Sequence, residues 1–325
     1  MRAAAVVYLN GRFVAGSRAA VNVFDRGFLY GDGLLETMRA YRGVVFAFDA
    51  HLERLHGSAR ALDLPVPSLH WNGVCATLLR RNRLERRDAW IRLVITRGVS
   101  DAGLRPRRGL RPTIAAMVGP VAARHRSAPV AAVLLPFARD PWLAEHKSLN
   151  YLTGVVGKAI AARRGADEGL YVDGRGALRE GTTTSLFVVH DGSVWTPPPD
   201  GILPGVTRRV VLAVATAAGI PTRERRLTAA DLIRSDEAFL TSSIAEIAPL
   251  PRVDQHRIGN GRIGPVTHHL QQLYRRAVQR YCAESKASGG AVTSIGRPQR
   301  STRGRGKGSV GLQLHFVARS GDRSK

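Results

Sequence analysis

The stretch "EHKSLNYL" at 145–152 sets Lys147 beside His146 and ahead of an apolar run. Of the 49 basic residues only five are lysines, at 147, 158, 286, 307 and 325, which leaves 44 arginines. Arginine replaces lysine at most solvated positions, but its guanidinium stays protonated and is no nucleophile. A lysine kept inside a motif therefore points to amine chemistry. Once deprotonated, an ε-amine attacks carbonyl carbon and forms a Schiff base, and burial or neighbouring cations promote the loss of its proton. The alternative, from this residue alone, is a surface lysine where a loop enters a helix.

Composition narrows what such a lysine could serve. A chain of 325 residues that is 44% hydrophobic can bury one large core or two ordinary ones, and its length favours about two domains. No apolar run reaches the roughly 18 residues of a membrane span, and "MRAAAVVYLNGRF" becomes a hairpin pattern too early for a signal peptide. A cytoplasmic location is the default expectation. Cys75 and Cys282 lack CxxC spacing and the ten histidines show no HExxH pattern, so neither a disulfide framework nor a zinc or other metal site is expected. The net charge of +24 raises nucleic-acid binding. From Glu284 onward nine cations stand against two anions, a net +7, which leaves +17 spread over residues 1–283. Arginine for lysine throughout reads as a bias of the whole chain, so a nucleic-acid role, carried by the basic tail, is the minor expectation.

The elements that must position the lysine follow from periodicity. In "VVYLNGRFV" and "LLETMRAYRGVVFAF", Asn10-Gly11 and Arg42-Gly43 predict hairpin turns. Leu52, Leu55, Ala59 and Leu62 fall at helical spacing, with Asp49 as the cap and Pro65 as the stop, and a second helix is expected from Ser68 to about Asn82. In "AWIRLVITRG", Ile91, Leu93 and Ile95 share one strand face while Trp90, Arg92 and Val94 share the other. Residues 1–118 thus read as a small α/β domain, and the aperiodic 119–129 as a linker. Residues 130–283 read as a larger domain with a helix at about 149–164, strands within 168–196, a helix after Gly205 and a closing amphipathic helix. The tail 284–325 cannot bury enough apolar area to offset its ordering entropy and is expected to be disordered.

From Tyr8 to about Tyr281 the chain resembles the class IV, or fold type IV, aminotransferases. The resemblance rests on "DRGFLYGDGLLET", "HLERL", "HKSLNYL", "REGTTTSLFVV", "GILPGVTRR" and "LTSSIAEIAPL", which stand in that family's order. It implies a two-domain α/β (α+β) fold with a barrel-like C-terminal domain, an active site between the domains, pyridoxal 5'-phosphate as cofactor, and a homodimer. By the resemblance Lys147 is the aldimine lysine, and its freed amine shuttles a proton between the substrate α-carbon and the cofactor. Glu180 matches the carboxylate that keeps the pyridine nitrogen protonated; otherwise it is a solvated strand-edge glutamate. Arg54 matches the phosphate arginine, and Gly205 sets the N–H groups of Val206 and Thr207 at a helix start that favours an anion. Ser242 and Ser243 match a hydroxyl pair for the same phosphate or are turn formers. Tyr151 bonds the cofactor's phenolic oxygen or is a core tyrosine.

The motifs divide over substrate. Tyr30 and Arg92 match positions where branched-chain aminotransferases hold the distal carboxylate of glutamate, Trp90 stands where that group has a tyrosine, and Leu35 replaces an aromatic residue with an apolar wall. "KSLN" and "ITRG" resemble the D-amino acid aminotransferases and the aminodeoxychorismate lyases instead, and Ser185 replaces the asparagine usual after the glutamate motif. The leading expectation is a transaminase that moves an amino group between a hydrophobic, branched-chain L-amino acid and 2-oxoglutarate. The alternatives are a D-amino acid aminotransferase or a lyase releasing pyruvate.

Overall fold

Positive backbone angles at Asn10 and Gly11 (φ 46° and 88°), and at Arg42 and Gly43 (φ 48° and 90°), close the two hairpins expected from those residue pairs. With φ > 0 at both central positions the turn twists in the sense that paired strands need. The structure is a computed structural model and describes residues 5–101, 103–122 and 127–287. Strands β1 (Val6–Leu9), β2 (Arg12–Ala15), β3 (Gly33–Tyr41), β4 (Val44–Val45), β5 (Ala89–Thr96) and β6 (Thr113–Pro120) form one antiparallel sheet in the order β2-β1-β6-β5-β3-β4. Helix α1 (Arg26–Tyr30) precedes β3, while α2 (Phe48–Ala61) and α3 (Trp71–Arg81) cover one face of the sheet. There Leu34 and Met38 of β3 and Ile91, Leu93 and Ile95 of β5 pack against Leu55, Leu78 and Leu79. The opposite face of β5 carries Trp90, Arg92 and Val94, as the alternation requires.

Eleven further strands follow among the described residues: β7 (Ala131–Leu135), β8 (Glu168–Val172), β9 (Ala177–Gly181), β10 (Ser185–His190), β11 (Ser193–Thr196), β12 (Thr222–Glu224), β13 (Leu227–Thr228), β14 (Glu237–Ser242), β15 (Glu246–Pro249), β16 (Arg252–Val253) and β17 (His256–Arg257). They make two sheets, β13-β9-β8-β7-β16-β17 and β12-β11-β10-β14-β15. The two share a core in which Leu170 and Leu178 meet Leu186, Val188 and Leu240. Helices α4 (Pro141–Ala144), α5 (Leu152–Arg163), α6 (Val206–Ala217), α7 (Ala229–Ile233) and α8 (Pro265–Ala287) complete the chain. Helix α5 covers β7 and β8, and α6 with α8 covers β10, β14 and β15. The fold is mixed α/β. No helix among the described residues is long and apolar enough to cross a membrane.

Some local expectations shift. Asp49 does not cap α2: the chain enters the helix through Ala47 at φ 51°, and Asp49 lies in the first turn. The second helix starts at Trp71, three residues after Ser68. A turn over 173–176 joins β8 to β9, with Gly176 at φ 73° and Asp173 Oδ1 accepting from the N–H groups of Arg175 and Ala177, both at 2.9 Å. Strand β6 runs into the segment expected as linker because Gly119 leaves room for the Trp90 ring, 2.5 Å from where a Cβ would stand. Helix α8 continues to Ala287, so the first four residues of the expected tail are helical; 288–325 lie outside the described residues.

The two halves meet through a buried charge on β3. Arg39, 2% exposed, donates to the Ile244 carbonyl at 2.6 Å and to Asp88 at 2.9 Å, and lies 3.3 Å from Glu246. Tyr41 donates to Glu246 at 2.8 Å, and Glu246 itself takes φ 62°. Removing one member of such a cluster strands the others in a dry interface. Arg39→Met is therefore expected to destabilise the fold by about 3–5 kcal/mol, read from denaturant unfolding; an unchanged midpoint would show the cluster to be idle.

Candidate active site

Lys147 is held by the edge of β3. The Leu35 N–H donates to the Lys147 carbonyl and the Leu149 N–H to the Gly33 carbonyl, each at 2.9 Å, so the lysine loop continues the sheet for one bridge. From there Nζ enters a cavity of about 630 Å³ and donates to Tyr151 Oη at 3.0 Å. Leu35 and Arg92 line the same cavity from the first sheet. Arg92 is exposed, with Nε donating to Thr37 Oγ1 at 3.3 Å.

At one end Glu180, the fourth residue of β9, is buried to 5% exposure. Arg139 donates to its Oε1 at 3.2 Å and the Leu203 N–H to its Oε2 at 3.1 Å. Burial pushes the carboxyl up to about 7, against the opposing pull of Arg139, the Leu203 N–H and Lys147. The segment after it is held from below. Buried Glu168 accepts from the Thr182 N–H at 3.2 Å and from the hydroxyls of Thr183 and Thr184 at 3.3 and 3.2 Å, and Lys158 caps it at 3.1 Å.

At the other end stand groups suited to an anion. Val206 and Thr207 open α6 at the cavity wall, and the Gly205 cap offers no side chain to their N–H groups. A Cβ on Gly205 would lie 2.7 Å from Ser185 Oγ, so the glycine permits a close approach. Ser242, Ser243 and Arg54 join the lining there. Arg54 forks onto Glu36, Nε to Oε1 at 2.7 Å and Nη2 to Oε2 at 2.6 Å, while Nη1 donates to the Pro204 carbonyl at 3.1 Å. His51 Nδ1 lies 2.8 Å from Glu36 Oε2, and its Nε2 lies 3.5 Å from Ser243 Oγ. Burial pushes the Glu36 carboxyl up, but the Arg54 charge and fork, with His51, outweigh it and hold it at about 2. Burial pushes the His51 imidazole below its ordinary value.

The cavity thus brings together Leu35, Arg54, Arg92, Lys147, Tyr151 and Glu180 with Val206, Thr207, Ser242 and Ser243. Tyr30 and Trp90 are outside its lining. Tyr30 accepts from the Gly103 N–H at 2.8 Å under the Arg26 guanidinium, and Trp90 lies over Gly119. Sequence reasoning missed Glu36, His51 and Arg139. A carboxylate inside the apolar "LLETM", and a histidine three residues before Arg54 on one helix face, were the available signals for the first two. Arg139 sits in an aperiodic loop that gave none.

Known proteins resemble this chain over most of its length. The family described as amino-transferase class IV matches residues 33–253. A Methanocaldococcus jannaschii protein provisionally named branched-chain-amino-acid aminotransferase is 41% identical over 275 residues, covering 83% of this chain and 95% of its own. A D-alanine aminotransferase of Listeria monocytogenes is 30% identical over 289 residues, covering 86% and 98%. The structure of the T.th. branched-chain amino acid aminotransferase with pyridoxamine 5'-phosphate superposes with a TM-score of 0.79 at 28% identity, covering 87% of this chain and 97% of that one. The fold is that of the fold type IV enzymes. The chain belongs to the class IV aminotransferase family.

Glu36→Gln leaves the Arg54 guanidinium buried without its counter-charge. It is expected to destabilise the chain by about 3–5 kcal/mol. The folded-state value of Glu36 lies below its ordinary 4.5, so its contribution is complete above that pH and is lost as pH falls toward about 2. Acid unfolding of the variant should lack that component; identical acid profiles would remove the pair from this role.

Proposed function

We propose that the chain is a pyridoxal phosphate-dependent transaminase that moves an amino group between a hydrophobic, branched-chain L-amino acid and 2-oxoglutarate, as a cytoplasmic homodimer. The observation that carries this reading is the meeting of the Lys147 amine, the buried Glu180 carboxylate and an anion cradle around one cavity. These residues fit the cofactor: Arg54, the α6 N-terminus, Ser242 and Ser243 would hold its phosphate, Lys147 would capture its aldehyde, and Glu180 would face its ring nitrogen. When bound, it supplies an electron sink that makes the α-hydrogen of an amino acid removable.

The protein's own groups do the rest. Lys147 Nζ would take the α-proton and return it to the carbon on the other side of the intervening nitrogen, with Tyr151 accepting a hydrogen bond from Nζ and fixing its approach. Glu180, in its anionic form, would hold a proton on the ring nitrogen. Leu35 and Val155 give the cavity apolar wall for a branched side chain. Among the described residues the Arg92 guanidinium is tied only through Nε to Thr37, which leaves its other N–H groups to fork onto a distal carboxylate. The relative provisionally named for branched-chain amino acids supports this substrate class. Phe28, Leu104, Leu152 and Val155 are 72%, 80%, 75% and 61% exposed, apolar surface that a second copy would cover. Cys75 and Cys282 are unpaired, which suits a reducing compartment.

Two measurements test the reading. Mixed with pyridoxal phosphate, the protein should gain the visible absorbance of lysine-captured cofactor, bleached by L-leucine and L-glutamate and not by D-alanine or D-glutamate. Lys147→Ala should lose both the band and turnover. Bleaching by the D-amino acids would reverse the handedness, and activity retained without Lys147 would end its role. Arg92→Ala should raise KM for glutamate and 2-oxoglutarate about 10–100-fold, the worth of a charge-assisted hydrogen bond, and spare leucine; equal losses for all three would defeat the carboxylate assignment.

A further inference from the structure

His51 is outside the cavity lining, yet it touches residues that line the anion end. Its side chain is 2% exposed. Nε2 stands 3.5 Å from Ser243 Oγ, and Nδ1 stands 2.8 Å from Glu36 Oε2, the oxygen that also takes Arg54 Nη2 at 2.6 Å. Ser243 and Arg54 both line the cavity. Among the described residues Ser243 Oγ has no other hydrogen-bond partner.

Charge decides which way each hydrogen points. The Glu36 carboxyl, held at about 2, is ionised at any working pH and can only accept. His51 Nδ1 therefore carries a hydrogen, and the 3.3 Å between Nδ1 and Arg54 Nη2 separates two donors that share one oxygen. In the neutral imidazole Nε2 is then an acceptor, and it takes the hydrogen of the Ser243 hydroxyl. A serine has one such hydrogen. While it points at His51, Ser243 turns only lone pairs to the cavity and cannot donate to an anion there.

A proton on Nε2 reverses the arrangement. The new N–H donates to Ser243 Oγ, and the freed O–H donates into the cavity. We propose that an oxyanion held at Ser243 and Arg54, such as a phosphate group, binds with uptake of one proton by His51, which makes His51 the positioning residue for the Ser243 hydroxyl. The proton comes from solvent and rests on Nε2; no covalent bond forms or breaks. Naming the oxyanion as the cofactor phosphate rests on the transaminase reading, and the proton uptake does not.

The surroundings suit such a coupling. Burial holds the free imidazole below its ordinary value, with Arg54 and Lys147 adding to that effect and Glu36 opposing it. An incoming anion offsets the two cations. The groups facing His51 are Glu36 of β3, Arg54 of its own helix, Lys147 of its loop and Ser243 of the turn after β14. At the other end of the cavity Glu180, pushed up to about 7, titrates in the same range, so the test has to separate the two.

Sulfate is the probe, because it keeps one charge state across neutral pH where phosphate titrates. Calorimetry of the full chain, freed of bound cofactor, in two buffers of different ionisation enthalpy counts the protons taken up with sulfate. Since the free imidazole lies below its ordinary 6.5, the sulfate Kd should fall as pH is lowered toward that value, by up to about tenfold per unit, and level off below it. His51→Gln keeps polar atoms but cannot take the proton, and Ser243→Ala cuts the relay while leaving the Glu36 pair whole. Near pH 7 both variants should take up fewer protons than the parent chain, by as much as one.

Equal uptake in all three proteins would assign the titration to Glu180 and overturn the proposal. Uptake lost in His51→Gln but kept in Ser243→Ala would refute the relay through the hydroxyl. A parent chain that bound no sulfate would overturn it as well, and Ser243→Ala alone decides if His51→Gln does not fold. Pyridoxal phosphate bound without transamination would instead refute the transaminase reading and leave the proton uptake standing.

Discussion

One strand, buried on both faces and charged on both, organises the molecule. Glu36 points from β3 into the helix-covered side and fixes His51 and Arg54 of α2. Arg39 points to the other side and fixes Asp88 and the 244–246 turn. The backbone at Gly33 and Leu35 holds the Lys147 loop. The alternation of a pleated strand sends neighbouring side chains to opposite faces. Within seven residues β3 therefore positions the Lys147 amine, the Arg54 guanidinium and one wall of the cavity. Buried charge is expensive unless paired, and this pairing makes the register of β3 hard to shift.

Much of this was legible in the residues. The hairpins at Asn10-Gly11 and Arg42-Gly43 need positive φ and found it. The two faces of β5 separated as the alternation required, with Ile91, Leu93 and Ile95 in the core and Arg92 outside it. Lys147, Glu180 and Arg54 lie far apart in sequence and meet around one cavity, as the resemblance carried by the ordered motifs implied. What stayed illegible was second-neighbour chemistry. Asp49 had the composition of a cap, but the path of the preceding turn decided where α2 begins. Arg139 had no pattern of its own, since only the packing of an aperiodic loop brings it onto Glu180. Tyr30 and Trp90 share motifs with cavity residues, yet local contacts hold them elsewhere.

The rarity of lysine has a second resolution beyond Lys147. Lys158 reaches from α5 to Glu168 at 3.1 Å and to the Asp167 carbonyl at 2.7 Å. Glu168 is enclosed by Thr182, Thr183 and Thr184, so the remaining approach suits a compact point charge on a flexible stem better than a planar fork. The two lysines thus stand in different settings: one places its amine in the main cavity, and the other neutralises the carboxylate that shapes the wall after Glu180.

The bridge between the lysine loop and β3 also has a bearing on solution behaviour. Strand β4 pairs with β3 only at Ala40 and Tyr41, so at Gly33 and Leu35 the edge of the sheet would otherwise present open N–H and C=O groups. Such an edge is a template for pairing with another chain. The loop that carries Lys147 is therefore also the guard of an otherwise sticky border, and whatever loosens it trades away protection against aggregation.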